Sequence, residues 1–388
     1  MSCPVIRRTR CPLCESPRLS PGHAPHVALP YPLLPVCLDT PRSEDLTAPF
    51  TICTCEDCGL ITLLDYVDPE ILYKAFHNDA VGTLWQAHYA AFADLISSRY
   101  TLGAAGRIVE VGAGQGKLLR ILKPLCGGIM EVIDPQYEGP PEGVTVHPCL
   151  LDLETAKPLA ETFDALVSSH TLEHFPEFNN YFLAARMVLK PGGQLFTSVP
   201  NQEFGFAKAH GSMLSFEHPS VCTNLHWVAL FYRNGFQVNE VRLFRGHSIM
   251  ISATRVETNV QFTLQAKELS AALLGDYTRA TQERLDRIRG AADGCKENWL
   301  FGAHNNAQVL FMYGLEEGLF QGLMDNSPLK ANKRLCGTSL VCKAPGDVIL
   351  SRPPHAPPLR VFINIGSYNE EVKAQLLGMD PTLECILL

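Results

Sequence analysis

Short apolar runs alternate with amphipathic stretches between residues 108 and 255, and this alternation is the clearest pattern in the chain. Continuous apolar runs are typical of strands that are covered on both faces of a parallel sheet. The predicted strands are residues 108–111, 129–133, 144–147, 163–170 and 194–199. An apolar stripe predicts a helix at residues 178–189, and the sequence from Lys190 to Gly193 (Lys-Pro-Gly-Gly) is a stop signal for it. The pattern therefore predicts an α/β domain.

A second α/β pattern occupies the last third of the chain. Two strands, at residues 237–242 and 248–255, precede a long helix whose apolar positions between Leu264 and Ile288 recur at helical spacing. Further strands are predicted at 299–302, 319–324 and 361–365, and a helix at 307–313. Ser367 and Glu370 form a capping-box pattern for the last helix. Because this unit lacks the G-x-G-x-x-G fingerprint, we expect a small Rossmann-like unit that is structural or covers the substrate, without a cofactor.

A glycine-rich turn follows the first predicted strand of the central domain, in the sequence Glu110-Val-Gly-Ala-Gly-Gln-Gly116. Gly112, Gly114 and Gly116 allow the backbone to turn tightly and a ligand to come close. The free N–H groups at the start of the next helix favour a carboxylate or a phosphate. The pattern indicates a site for a nucleotide-type cofactor, and an ordinary strand–turn–helix of an α/β core is the alternative.

Two acids follow the next two predicted strands. Asp134 ends the second strand, where a carboxylate accepts hydrogen bonds from both ribose hydroxyls of a nucleotide. Asp152 comes after the third strand, next to Leu150 and Leu151, and this apolar wall with an acid is suited to an adenine. Their positions strengthen the cofactor interpretation of the glycine turn.

Two C-x-x-C pairs near the N-terminus, Cys11/Cys14 and Cys55/Cys58, indicate a metal site. Four thiolates close a tetrahedral zinc site, and with no open coordination position the zinc is structural. The separation of the pairs exceeds that of common zinc ribbons, and the intervening proline-rich insert is expected to loop out. A strand is predicted at residues 60–64. Disulfides or unligated core thiols remain the alternatives, and the nearby Cys3, Cys37 and Cys53 have no assigned role.

Composition limits the remaining possibilities. A chain of 388 residues with 46% apolar residues is expected to form two or three globular units, here 1–75, 76–260 and 261–388. The net charge of −8, without a long basic run, argues against nucleic acid or an anionic membrane as the main partner. The N-terminus shows no secretory signal and no stretch is apolar enough to span a membrane, so we expect a cytoplasmic protein.

The central motifs resemble those of the class I S-adenosylmethionine (SAM) methyltransferases. The motifs are the glycine turn, the sequence Ser169-His-Thr-Leu-Glu-His174 and the sequence Leu189-Lys-Pro-Gly-Gly193. The resemblance covers roughly residues 80–256 and implies SAM as the cofactor. The resemblance and the sequence pattern described above together assign nine residues to cofactor binding: Glu110, Gly112, Gly114, Gln115, Gly116, Asp134, Asp152, Ser169 and His170.

The order of the three parts resembles the zinc-containing C-methyltransferases that act on TDP-linked keto-deoxysugars. The cysteine pairs match that family's zinc module, with Cys11, Cys14, Cys55 and Cys58 as ligands, and residues 301–303 and 325–330 match its C-terminal unit. The resemblance implies His218 as the base, in the pair Glu217-His218, and His174 as a second active-site histidine. Glu217 then orients an imidazole or binds a substrate hydroxyl.

The chain departs from that family in the region of the acceptor. Ser215 and Phe216 stand where the family has a tyrosine, and residues 76–80 stand where it has a tyrosine-containing loop. The acceptor is therefore predicted only as a small activated metabolite, a nucleotide-linked keto-sugar being the first choice. An O- or N-methyltransferase of another natural-product intermediate is the second interpretation, and a zinc-ribbon interaction protein with a relic SAM fold is the third.

Overall fold

The computed structural model describes residues 3–21, 27–32, 37–72, 82–100, 106–137, 141–257, 264, 266–292, 296–353 and 355–388. The segment 76–80, which replaces the family's tyrosine-containing loop, lies outside the described residues. Among the described residues, no helix is both long enough and apolar enough to cross a membrane.

The N-terminal part consists of short strands around the two cysteine pairs. Its elements are β1 (Ile6–Arg7), β2 (Leu19–Pro21), β3 (Val27–Pro32), β4 (Cys37–Leu38), β5 (Thr47–Phe50), β6 (Ile52–Cys55), β7 (Ile61–Leu63), β8 (Asp65–Tyr66) and the helix α1 (Pro69–Leu72). β2, β6 and β7 are neighbours in one antiparallel sheet, and β3 pairs with β5. The strand predicted at residues 60–64 is therefore present as β7.

The central part is an α/β unit. Its elements are α2 (Thr83–Arg99), β9 (Arg107–Val111), α3 (Lys117–Cys126), β10 (Ile129–Ile133), β11 (Thr145–His147), α4 (Leu153–Ala156), β12 (Phe163–Ser169), α5 (Phe178–Val188), β13 (Leu189–Pro200), α6 (Gln202–Ala207), β14 (Ser220–Val221), α7 (Asn224–Arg233), β15 (Phe236–Phe244) and β16 (Ser248–Arg255). Seven strands form one sheet in the order β11-β10-β9-β12-β13-β16-β15. Among the described strands of this sheet, only β16 runs in the direction opposite to the other six, which confirms the predicted, mostly parallel α/β sheet.

The strand order fixes where a ligand binds. From β9 the chain proceeds outward to β10 and β11 and then returns to place β12 on the other side of β9. This reversal makes the gap beyond the carboxyl ends of β9 and β12 a topological switch point, where open α/β sheets bind their ligands. The glycine turn follows β9 and the segment from His170 to His174 follows β12, so both lie at this edge.

The helix predicted at residues 178–189 ends at Val188, in agreement with the stop signal, but the next strand begins earlier than predicted. The segment from Lys190 to Gly193 is part of β13. Phe163 pairs with Leu189 and Ala165 with Gln194, so the residues between Leu189 and Gln194 bulge out of the ladder. The last helix begins at Asn369, one residue later than the capping-box pattern of Ser367 and Glu370 predicts. A 3₁₀ turn at residues 366–368 leads directly into that helix, whose N-cap, Tyr368, makes no side-chain capping bond.

The C-terminal part contains a second, parallel sheet. Its elements are α8 (Lys267–Ala291), β17 (Glu297–Phe301), α9 (Asn305–Met312), β18 (Gly322–Met324), β19 (Arg334–Leu335), β20 (Cys342–Lys343), α10 (Pro345–Ile349), β21 (Leu359–Ile363), α11 (Asn369–Met379) and β22 (Glu384–Leu387). The sheet order is β20-β18-β17-β21-β22, and its pairs are parallel. β19 instead pairs with β4, which joins this part to the N-terminal strands.

The N-terminal sheet also makes direct contact with the central part. β14 pairs with β7 and extends the N-terminal sheet by one strand. The carbonyl of Pro219, just before β14, accepts hydrogen bonds from Leu63 N–H at 2.8 Å and from the hydroxyl of Thr62 at 2.9 Å. The segment that carries His218 is therefore fixed to the strands of the cysteine module.

Candidate active site

The glycine turn forms a cradle with one open side. Gly112, Gly114 and Gly116 have φ values of +71°, +53° and +66°, in the left-handed region that favours glycine. A Cβ on Gly112 would lie 2.5 Å from the hydroxyl of Thr171, and one on Gly116 would collide with the phenol of Tyr137. A Cβ on Gly114 would meet no heavy atom within 4 Å. Gly114 therefore faces the space that a cofactor needs.

Asp134 is held against this cradle. Its carboxylate accepts hydrogen bonds from Gly114 N–H at 3.0 Å and from Gln136 N–H at 2.8 Å. These bonds hold an acid from the end of β10 beside the turn that follows β9. This placement suits the predicted contact with the ribose of a nucleotide-type cofactor.

Glu110 supplies a buried acid directly before the turn. Its side chain is buried, and among the described residues its Oε2 atom has no hydrogen-bond partner. Burial, and secondarily the charge of Asp134, raise the pKa of Glu110 to about 8. Charging a buried carboxyl group that has no cationic partner destabilises the free protein, and a cationic ligand offsets that cost. SAM carries both an ammonium group and a sulfonium, so the residues of the cradle fit this cofactor.

We expect cofactor binding to release a proton from Glu110. The raised pKa favours the neutral acid in the folded protein. The contribution of Glu110 to the free energy of unfolding is therefore most favourable below about pH 4.5, and it is lost as the pH rises through about 8. A bound cation lowers that pKa. Between these pH values, binding of S-adenosylhomocysteine should release up to one proton and tighten by up to about tenfold per pH unit. Calorimetry in buffers of different ionisation enthalpy measures the release.

The matched control for the proton release is Glu110→Gln, which keeps the shape of the side chain but cannot ionise. The amino group of the ligand titrates equally in both proteins, so the difference between them isolates Glu110. Equal proton release by the wild type and by Glu110→Gln would show that another group titrates.

Two further predicted cofactor residues have other contacts in the structure. The carboxylate of Asp152 accepts from the N–H groups of Glu154 and Thr155, both at 2.8 Å, and so forms the N-cap of α4. Gln115 is exposed in the turn, and its carbonyl accepts from Arg120. Contacts of either residue with the adenine or the turn-bound part of a cofactor stay predictions.

The structure brings His170 together with two histidines that sequence reasoning missed. His170 follows β12 with a φ of +53°, and its imidazole lies among those of His88, from α2, and His247, from the turn between β15 and β16. The hydroxyl oxygen of Ser169, a residue that was predicted together with His170, lies 3.2 Å from the Nε2 atom of His88. No local signal could reveal this group, because its members come from three separate elements.

His174 and His218 form a second group at the same edge. Their ring centroids are 4.6 Å apart, although the residues come from different segments. The Nδ1 atom of His218 is 2.5 Å from the carbonyl of Ser212, and because a carbonyl only accepts, Nδ1 carries the proton. In the neutral ring, Nε2 of His218 is then the basic nitrogen.

Glu173 completes this second group and was not among the predicted site residues. Its carboxyl group lies within 4.8 Å of ring nitrogens of His174 and His218, and 3.4 Å from Nδ1 of His170. The side chain is buried, and burial raises the pKa of Glu173 to about 8. Glu217 is half-buried in the loop before His218, so the acid that the structure places within this group is Glu173.

The two residues that replace the family's tyrosine have structural contacts. Phe216 is buried in edge-to-face contact with Phe50 of β5, with ring centroids 5.5 Å apart. The hydroxyl of Ser215 accepts from His218 N–H at 3.1 Å. The chain therefore uses these positions to anchor the loop that carries His218.

The four predicted zinc ligands meet in one cluster. Sγ atoms of Cys11 and Cys58 are 3.6 Å apart, those of Cys14 and Cys55 are 3.5 Å apart, and all four lie within 4.8 Å of one another. Tetrahedral zinc with Zn–S bonds of ~2.3 Å separates its sulfurs by about 3.8 Å. The donor set and its spacing therefore fit a zinc ion. His226 donates from Nε2 to the carbonyl of Cys58 at 3.0 Å, which supports the second cysteine pair.

The fold and the cradle define a SAM-dependent methyltransferase domain, and comparison with known proteins agrees. Residues 84–241 match a family model described as a methyltransferase domain. The chain is 31% identical over 109 residues to the human mitochondrial ubiquinone biosynthesis O-methyltransferase, covering 25% of this chain and 29% of that protein. It is 25% identical over 224 residues to the C-methyltransferase NovU of Streptomyces niveus, covering 53% of this chain and 51% of that protein.

Among solved structures, the chain is similar to a Burkholderia thailandensis 1,6-didemethyltoxoflavin N1-methyltransferase with bound S-adenosylhomocysteine. The match has 16% identity and a TM-score of 0.35, and it covers 45% of this chain and 82% of the other. The chain spans only 29% and 51% of the lengths of these two curated relatives. The match to the methyltransferase-domain model covers the central domain, and the similarity to curated proteins leaves the acceptor of the methyl group open.

Proposed function

We propose that the protein is a SAM-dependent C-methyltransferase that methylates a carbon next to a carbonyl, in a nucleotide-linked keto-deoxysugar. The observation that carries the proposal is the pair His174 and His218, whose rings are in contact at the ligand-binding edge of the sheet. The similarity to NovU, a C-methyltransferase, extends over about twice the length of the similarity to the O-methyltransferase and supports the same choice.

Methylation of carbon needs a base, because a C–H group becomes nucleophilic only after it loses its proton. His218 offers Nε2 as that base, since the carbonyl of Ser212 fixes the proton on Nδ1. As the proton moves to Nε2, the electrons of the C–H bond form the enolate, and His174 donates a hydrogen bond to the enolate oxygen. SAM, when bound, supplies the electrophilic methyl group, and its sulfur keeps the electrons of the broken S–C bond.

The cysteine cluster has a structural role in this proposal. Four thiolates fill a tetrahedral zinc and leave no open position for a substrate. The zinc holds the short strands of the N-terminal sheet, and through β7 and Pro219 that sheet holds the loop of His218.

Proton exchange tests the proposed reaction. The protein is incubated in D₂O with S-adenosylhomocysteine and a TDP-linked keto-deoxysugar, and NMR follows the C–H groups next to the carbonyl. We expect exchange at one carbon, faster than without protein, because enolate formation needs no methyl donor. With SAM, the product should carry its new methyl group on that carbon.

Two results would contradict the proposal. A methyl group on oxygen, without exchange, would support the O-methyltransferase interpretation that the human relative suggests. Binding of S-adenosylhomocysteine with neither exchange nor transfer would show that the acceptor belongs to another chemical class.

A further inference from the structure

The group of His88, His170 and His247 has the arrangement of a metal site. One ring nitrogen from each lies within 4.8 Å of those of the other two. The ring centroids form a nearly equilateral triangle, with separations of 5.1 Å, 5.2 Å and 5.3 Å. Three imidazoles that bind one tetrahedral ion through nitrogens at ~2.0–2.1 Å place their ring centres about 5 Å apart.

We propose that these three histidines bind one divalent transition metal ion of the zinc class, separate from the ion of the cysteine cluster. Imidazole is the ligand that such ions prefer among neutral side chains. Three protein ligands leave a fourth position open to water or to an oxygen of a substrate, in contrast to the closed cysteine site.

The hydrogen bonds around the rings support this assignment. Metal-binding histidines usually have their second nitrogen held by another group. The Nε2 atom of His88 is 3.2 Å from the hydroxyl of Ser169, whereas its buried Nδ1 atom has no partner among the described residues. The hydroxyl of Ser248 contacts Nδ1 of His247, which leaves Nε2 of that ring for the metal.

His170 can be held in the same way through either nitrogen. Its Nε2 atom is 3.0 Å from the hydroxyl of Ser248, and its Nδ1 atom is 3.4 Å from the carboxyl group of Glu173. The left-handed backbone of His170 is unfavourable in a residue other than glycine, and the surrounding structure holds such strain in place at ligand sites.

The ring of Trp85 covers the group, with centroids 4.6 Å from those of His170 and His247.

The site is adjacent to the cofactor cradle. Thr171, which follows His170, packs against Gly112 of the glycine turn. Through Glu173 the three histidines also adjoin the pair of His174 and His218. If the proposed function holds, the open position is placed to take the carbonyl oxygen of the acceptor. The binding of the metal itself does not depend on that function.

Titration of the full-length, tag-free, metal-free protein with Co²⁺ tests the proposal. We expect two equivalents to bind. One produces the intense sulfur-to-cobalt charge-transfer band of a thiolate site, and the other adds only visible d–d bands. His88→Gln and His247→Gln should each lose the second equivalent and keep the charge-transfer band. His210→Gln, outside the group, should bind two equivalents, and the thermal melting of each variant shows whether it is folded.

The proposal is wrong if the wild type binds only the thiolate-site equivalent, or if both His88→Gln and His247→Gln retain two. These readouts need no methyl transfer. If the protein binds two metal ions but shows no proton exchange, the metal site is supported and the proposed reaction is wrong.

Discussion

His218→Ala is expected to lower the turnover number by about 10²–10⁴-fold and to leave the affinity for S-adenosylhomocysteine unchanged. In the proposed reaction the base acts only on the acceptor, whereas the cofactor is predicted to bind at the cradle of Gly112–Gly116, Glu110 and Asp134. Loss of the base removes stabilisation of the transition state and not of the bound ground state, so the effect falls mainly on the turnover number. Release of S-adenosylhomocysteine measures turnover with the TDP-linked keto-deoxysugar, and calorimetry measures binding.

The control for this substitution is His355→Ala, because His355 is an exposed histidine in the C-terminal part. The exchange of the acceptor C–H in D₂O should disappear together with turnover in His218→Ala and persist in the control. Turnover of His218→Ala within about threefold of the wild type would exclude His218 as the base.

The cofactor cradle could be predicted from the sequence because its determinants are local. The cradle is built from consecutive elements, namely β9, the glycine turn and the start of α3. The three glycines in the sequence indicate directly where the backbone is left-handed. Asp134 could be predicted for the same reason, since it ends the strand that pairs with β9. The parallel order of the sheet then places both at one edge without any knowledge of side-chain packing.

The histidine groups could be predicted only in part. His174 and His218 were identified through a resemblance of motifs, and the sequence does not show that their rings touch. His88 and His247 carry no pattern, because their proximity depends on how α2 and the β15–β16 turn pack over the sheet. Glu173 was missed because an acid in a helical turn is ordinarily exposed, whereas this one is buried with a raised pKa.

The replacement of the family's tyrosine has a physical consequence that the sequence alone did not reveal. Phe216 has no hydroxyl to offer to an acceptor, and its ring is used in the packing against Phe50. The contact ties the loop of His218 to β5 of the N-terminal part. The carbonyl of Pro219 also accepts hydrogen bonds from β7. Together these contacts make the position of His218, the proposed base, depend on the cysteine module.

Cys58→Ser is expected to abolish zinc binding at the cysteine cluster and to unfold the N-terminal sheet. Binding of a structural zinc contributes about 10–16 kcal/mol in isolated zinc-finger peptides, which is as large as the whole stability of a typical domain. The matched control is Cys53→Ala, because Cys53 is equally buried in the same sheet but lies outside the cysteine cluster. Its truncation should cost about 1 kcal/mol and leave the zinc of the cysteine cluster bound. Metal analysis and hydrogen exchange of β6 and β7 measure both effects.

The same substitution should also lower turnover, although the zinc is remote in sequence from the base. Without a folded β7, Pro219 loses the hydrogen bonds from Leu63 and Thr62, and β14 loses its partner strand. The loop of His218 then becomes mobile, and even a small displacement of a base costs about 10²-fold in rate. The cradle belongs to the central sheet, so S-adenosylhomocysteine should still bind. A base held by the cysteine module cannot keep its position once that module unfolds. Full turnover by a Cys58→Ser protein that lacks the zinc of the cysteine cluster would therefore show that catalysis does not depend on the module.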